Sequence, residues 1–243
     1  MLACVSFLNK SLLAAQAFLA QHTIRLDPEP PGNRHGTSYP ADGVGHDLAP
    51  LNLIAVGDSI ISGCGVAHQS AGITPRLAQH LANQLGCPIS WRTFSKMGST
   101  MRRVRYRFLE DVPNDTDILF ISAASNDLLA RRTPTEWQID LTAALEIAQS
   151  KSKHVVLLSA GQLYNSPALG LALRTELLRL TDEQTAISSC ICAEYGVDYI
   201  DLTHCELVPD FWAGDRFHPS ADGYEMAAEM AVEQMRLPVS LQN

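Results

Sequence analysis

The feature that most constrains this chain is a recurrence of short, almost wholly apolar runs, each followed by a stretch with helical periodicity. Residues 53–57, 88–94, 117–123 (DILFISA), 154–160 (HVVLLSA) and 197–201 read as strands. A continuous apolar run needs cover on both faces, whereas a half-exposed antiparallel strand would alternate. Between the strands, residues 73–85 are amphipathic and stop at Gly86, and residues 100–110 read as a further helix. Residues 135–150 follow Thr133 or Thr135 as a cap, 169–195 form a long helical stretch, and 220–235 close the chain. Strand–helix–strand units joined by right-handed crossovers give a parallel sheet with helices on both faces. The expected fold class is therefore α/β, a three-layer α/β/α sandwich around a five-stranded parallel sheet.

Ahead of this pattern, residues 27–50 are rich in Pro, Gly, Asp and His and read as a linker or irregular wrap. The expected organisation is an N-terminal apolar helix and linker over 1–50 and one folded domain over 51–243. Residues 1–20 are apolar but interrupted by Asn9, Lys10 and Gln16. No basic residue precedes their first apolar run, and neither run is long enough to span a bilayer. Ala15-Gln16-Ala17 resembles a signal-peptidase site, but an amphipathic helix is the preferred reading. Such a helix packs on the domain or makes peripheral membrane contact, so a cytoplasmic or membrane-peripheral protein is expected ahead of a secreted one.

A net charge of −8 argues against nucleic acid or an anionic membrane as the main partner. The six cysteines include no CxxC, and Cys190 and Cys192, two apart on a helix, point to different faces, so no metal site is expected. Nor is a cofactor. Gly63-Cys64-Gly65 would need a third glycine where His68 stands, and neither a P-loop nor HExxH occurs. His68, His154 and His204 lack ligand spacing. Arg102, Arg103, Arg105 and Arg107 read as a solvated helix face. Trp91, Trp137 and Trp212 read as packing residues, Trp212 being near enough to the 215–218 segment to line a pocket.

In open α/β sheets, reactive groups gather beyond the carboxyl ends of the strands, and the chemically capable segments fall there. Gly57-Asp58-Ser59 ends the first strand, Gly98 follows the second, and Ala124-Ser125-Asn126-Asp127 follows the third. Asp215-Arg216-Phe217-His218 precedes the last helix. Acyl transfer needs a hydroxyl nucleophile, a base, a carboxylate that orients the base, and donors for a developing oxyanion. A serine at a strand-to-helix turn exposes its hydroxyl, and Asp215 and His218 share one short loop. Gly98 lets backbone approach a ligand closely, and Asn126 offers a neutral amide donor. Asp58 and Asp127 read as acceptors that fix loops.

The order GDS, lone Gly, ND and DxxHP resembles the four blocks of the SGNH (GDSL-type) hydrolases, over nearly all of 51–236. The resemblance implies a flavodoxin-like SGNH fold with Ser59 as nucleophile and Asp215 and His218 completing a triad. It also implies an oxyanion hole of the Ser59 and Gly98 N–H groups and the Asn126 side chain. Two positions depart from the pattern: Ala124 replaces the glycine of GxND, and Thr93 replaces an asparagine five residues before Gly98. The implied activity is serine esterase, cleaving a small-molecule or lipid carboxylic ester through an acyl-enzyme. An O-acyltransferase on the same scaffold and a non-catalytic binding module keeping the fold are the alternatives. With no long apolar lid evident in the sequence, short acyl chains are expected.

Overall fold

The central apolar runs are buried on both faces because each lies inside a covered sheet. The computed structural model describes residues 2–241, with side chains from residue 11 onward except Ser240. Its elements in chain order are α1 (Leu2–Thr23), β1 (His35–Ser38), β2 (Leu51–Gly57), α2 (Ile73–Leu85), β3 (Ile89–Ser95) and α3 (Met101–Arg103). There follow β4 (Thr116–Ser122), α4 (Ser125–Leu129), α5 (Pro134–Lys151), β5 (Ser152–Leu158), α6 (Leu171–Tyr195), β6 (Asp198–Ile200) and α7 (Ala221–Gln234). Side chains alternate across β2: Leu53 and Ala55 join one core with α2 and α7, Ile54 and Val56 the other with α5 and α6. The three layers follow from that alternation.

Local signals set the helix limits. α2 ends on Gly86 in the left-handed conformation (φ 64°), as a Gly at this position favours. α5 opens with Pro134 behind a reciprocal cap between Thr133 and Glu136. α7 is capped by Ser220, whose hydroxyl accepts the Gly223 N–H at 3.1 Å.

The sheet differs from expectation in one respect. It has six strands in the order β1-β3-β2-β4-β5-β6, five of them parallel and β1 antiparallel on β3. The extra strand comes from within the supposed linker. It pairs Gly36 with Trp91, where a Cβ on Gly36 would lie 2.8 Å from the indole. Four half-exposed residues, His-Gly-Thr-Ser, carry no apolar pattern, and their backbone hydrogen bonds alone make them a strand. The sheet therefore begins before Leu51.

The stretch after β3 also differs. α3 is a single turn that widens into a π turn (Val104–Phe108) and tightens into a 3₁₀ turn (Leu109–Asp111). The buried side chains explain it. Val104 and Leu109 both enter the core, and a step of five residues fits an i→i+5 turn better than an α-helix.

Among the described residues no helix is long and apolar enough to cross a membrane. Cys190 is exposed and Cys192 buried on α6, whereas the Cys4 side chain lies outside the described residues.

Candidate active site

β2 is the point where the chain reverses direction across the sheet: β3 pairs on one side of it and β4 on the other. At such a switch point the loops after adjacent strands diverge and leave a crevice. Ser59 stands just past β2 and Asn126 on the first turn of α4, just past β4. Gly57 makes their approach possible, since a Cβ there would lie 1.9 Å from the Ser122 carbonyl oxygen.

The Asp215–His218 loop reaches the same crevice from the end of the chain. Gly65, at φ +98°, lets it seat closely: a Cβ there would meet the Pro219 carbonyl oxygen at 2.5 Å and His218 Cβ at 2.9 Å. The second glycine of Gly63-Cys64-Gly65 thus serves loop packing. Arg216 adopts the left-handed region (φ 58°) between the two titratable residues, a conformation that usually carries strain in a non-glycine residue. It is held by the Ala213 carbonyl, which accepts its N–H at 2.9 Å, and by Ser166, whose hydroxyl donates to its carbonyl at 2.7 Å.

Asp215 accepts four hydrogen bonds. Oδ1 takes the Phe217 and His218 N–H groups, each at 2.9 Å. Oδ2 takes His218 Nδ1 at 2.6 Å and the Asp27 N–H at 3.0 Å. Burial by itself pushes the carboxyl up, but these donors outweigh it and hold Asp215 below the usual carboxylate range. His218 is 2% exposed, and with Nδ1 on Asp215 its Nε2 is buried without any hydrogen-bond partner.

Ser59, Asn126 and His218 line one cavity of about 90 Å³, together with Trp212, Phe211, Leu163 and other apolar side chains. No hydrogen bond joins the Ser59 hydroxyl to His218 Nε2 in this structure, nor is the Ser59 N–H spent within the described residues. One amide N–H of Asn126 is donated to Asp58 Oδ2 at 2.9 Å, leaving its second N–H for the cavity. Gly98 has φ +78° and open space around it, but lies on an exposed turn outside the cavity wall.

The buried acids beside these groups fix loops. Asp58 Oδ1 accepts the Ile60 N–H at 3.0 Å, and Asp127 Oδ2 accepts the Met101 N–H at 2.8 Å. Burial pushes Asp58 up to about 7, against the stabilising donors Ile60 and Asn126. Burial does the same to Asp127, also to about 7, against the Met101 N–H and Arg132.

Sequence reasoning missed the part played by residues 27–34. Besides the Asp27 N–H on Asp215, Glu29 Oε1 accepts the Met97 N–H at 2.6 Å, one residue before Gly98. Its Oε2 pairs with Arg34 at 2.7 Å, and Arg34 donates to the Ser95 carbonyl at 3.2 Å. At Thr93 the backbone N–H goes to the Arg34 carbonyl at 2.9 Å. The wrap thus supports the Gly98 turn beside the position where the related pattern has asparagine. No local signal marks Glu29 for this, because the Met97 N–H it accepts lies 68 residues away in sequence. Ala124 is buried at the start of α4, and its carbonyl accepts a bond from Gln184 at 3.2 Å.

The GDSL-like lipase/acylhydrolase family model matches residues 55–226, a stretch containing Ser59, Gly98, Asn126, Asp215 and His218. No curated protein matches the sequence. Among solved structures, TesA is similar with a TM-score of 0.60 at 19% identity, covering 76% of this chain and 98% of its own. A variant of Axe2, an acetyl xylan esterase from Geobacillus stearothermophilus, gives 0.57 at 18% identity, covering 80% of this chain and 97% of that one. LAE5, an alpha/beta hydrolase enzyme from the metagenome of Lake Arreo, Spain, gives 0.57 at 18%, covering 82% and 98%. These likenesses establish the fold, and the family match spans most of the chain: this protein belongs to the GDSL-like lipase/acylhydrolase family.

Proposed function

We propose that the protein is a serine esterase that hydrolyses carboxylic esters through an acyl-enzyme on Ser59. The observation that carries this reading is the state of His218. Its Nδ1 is held by an ionised, four-times hydrogen-bonded Asp215, while its Nε2 is buried, unpartnered and in the same cavity wall as Ser59. A buried ring nitrogen without a partner is costly unless a ligand or reaction step uses it.

In this reading Ser59 Oγ attacks the ester carbonyl carbon and passes its proton to His218 Nε2. The Asp215 carboxylate fixes the tautomer and stabilises the imidazolium without taking the proton. The oxyanion that forms is met by the Ser59 N–H and the second N–H of Asn126. The family resemblance implies the Gly98 N–H as a third donor, and in this structure its turn lies outside the cavity wall. His218 then protonates the departing alkoxide, and water, deprotonated by the same nitrogen, releases the acid and regenerates Ser59.

The small cavity suits a compact reacting group, and the acetyl xylan esterase named above shows that this fold hosts such chemistry. Ser59→Ala is expected to abolish hydrolysis of p-nitrophenyl acetate, and Asn126→Ala to lower kcat by roughly 10²–10³. Wild-type turnover in the Ser59→Ala protein would refute the assignment.

A further inference from the structure

A second cavity, of about 620 Å³, lies beside the catalytic one and under α1. That size is within the roughly 300–1,000 Å³ of small-ligand sites, whereas the cavity at Ser59 holds about 90 Å³. Ala17 and Ala20 of α1 and Leu177 of α6 are among the residues that line it. Phe217 and Leu129 line both cavities, so the two share a wall built from those side chains.

The wall has a meaningful position. Phe217 directly precedes His218, and their rings meet edge-on with centroids 5.4 Å apart. Leu129 ends the short helix that presents Asn126. A chain crossing this wall would leave the reacting carbonyl between the base and an oxyanion donor.

α1 is docked as a roof. Gln16 Oε1 accepts the Leu173 N–H at 3.0 Å, and Gly170 packs so closely that a Cβ there would lie 2.4 Å from Gln16 Cδ. The roof is held up while the small side chains at 17 and 20 leave room beneath it. Three charged side chains line the cavity: Arg132 and Glu176 are tied into ion pairs with Asp140 and Arg179, and Arg131 is exposed to solvent, while the remaining lining is apolar apart from Gln21.

We propose that this cavity is the subsite for the hydrocarbon chain, acyl or alkyl, of a lipid ester whose carbonyl sits at Ser59. The proposal rests on the esterase reading and departs from the expectation of short chains. α1, the apolar N-terminal helix, supplies the cover over this cavity. Each methylene entering the cavity raises kcat/KM by up to about fourfold, the equivalent of its transfer from water.

The test uses the full chain and two substrate series. p-Nitrophenyl esters from acetate to palmitate vary the acyl side; acetate esters from ethyl to hexadecyl vary the alcohol side. kcat/KM should climb along one series, which identifies the source of the chain. A flat response in both overturns the proposal. Ala17→Trp, which fills the cavity, should cut the long-to-short ratio of kcat/KM at least tenfold. Leu19→Ser, on the outer face of α1 and 57% exposed, should leave that ratio in place. If Leu19→Ser collapses the ratio and Ala17→Trp does not, α1 acts as a surface contact and the subsite is refuted. Binding of a dansyl-labelled fatty acid to the Ser59→Ala protein reads the cavity without turnover. Saturable binding weakened by Ala17→Trp supports the subsite, and binding indifferent to that change refutes it. If binding behaves as expected but no ester is hydrolysed by wild type, the subsite stands and the nucleophile assignment falls.

Discussion

Asp215 and Asp58 are both buried carboxyl groups beside a catalytic candidate, yet their surroundings push them in opposite directions. Asp215 receives four hydrogen bonds, three from backbone N–H groups and one from the imidazole, and is held low. Asp58 receives bonds from Ile60 and Asn126 and is fully buried, and burial wins, carrying it up to about 7. The number of donors, set against the cost of removing the charge from water, decides which acid stays ionised. An anion is what an imidazolium needs beside it. Near an oxyanion it would repel the developing charge, so a carboxyl that can be neutral is better placed at Asn126. In the proposed mechanism Asp215 would support charge on His218, while Asp58, raised to about 7, holds the Asn126 amide in place.

The contrast breaks most sharply at Asp215. Asp215→Asn is expected to lower kcat on the order of 10⁴-fold, because an amide no longer fixes the required tautomer. A loss of only a few-fold, measured with p-nitrophenyl acetate at neutral pH, would leave Asp215 no role beyond packing.

Stability against pH separates the two acids by sign. Asp58 and Asp127, raised to about 7, bind protons in the folded state that the unfolded chain releases in the ordinary carboxylate range. Their contribution is full at low pH and is lost as pH rises from about 4 to about 7, on the order of a few kcal/mol for each group. Asp215, held low, works the other way: its contribution is present above the usual carboxylate range and lost as pH falls below it. Urea unfolding across pH should show a falling slope between about 4 and 7 that is roughly halved in Asp58→Asn, where Asp127 remains, and persists in Asp215→Asn. Equal slopes in wild type and Asp58→Asn would mean that Asp58 titrates normally.

The smallest expected effect sits in the wrap. Glu29→Ala removes the acceptor for the Met97 N–H beside Gly98. It should lower kcat for a small ester about tenfold with KM unchanged, and cost about 1–3 kcal/mol in stability. An unchanged kcat alongside the stability loss would reduce the wrap to scaffolding.

These differences also mark what the sequence could reveal. The central strands were legible because residues such as 118–121 are apolar on both faces, and α2 because its period and Gly86 agree. That Ser59, Asn126 and His218 would line one cavity was legible because their segments fall at the end of the sheet where this architecture leaves a crevice, whereas Gly98 lies outside that cavity's wall. The antiparallel edge strand was not, since His35–Ser38 forms through backbone pairing with no side-chain pattern. Nor was the π turn after α3, whose only signal is the five-residue step between Val104 and Leu109. Asp27 and Glu29 were hidden for a different reason: one acts through its backbone and the other on a partner 68 residues away. The cavity under α1 depends on how a helix with two apolar faces docks, with Leu12, Phe18 and Leu19 outward and Ala17 and Ala20 inward, and a sequence does not choose between such faces.

The central claim is that His218 makes the Ser59 hydroxyl a nucleophile. Incubation of the folded protein with a fluorophosphonate, followed by intact-mass and peptide mass spectrometry, tests it most directly. The account predicts one adduct per chain, on the Ser59 peptide, absent from Ser59→Ala and slowed by orders of magnitude in His218→Ala. An adduct on another residue, or labelling of Ser59 at the same rate without His218, would contradict it.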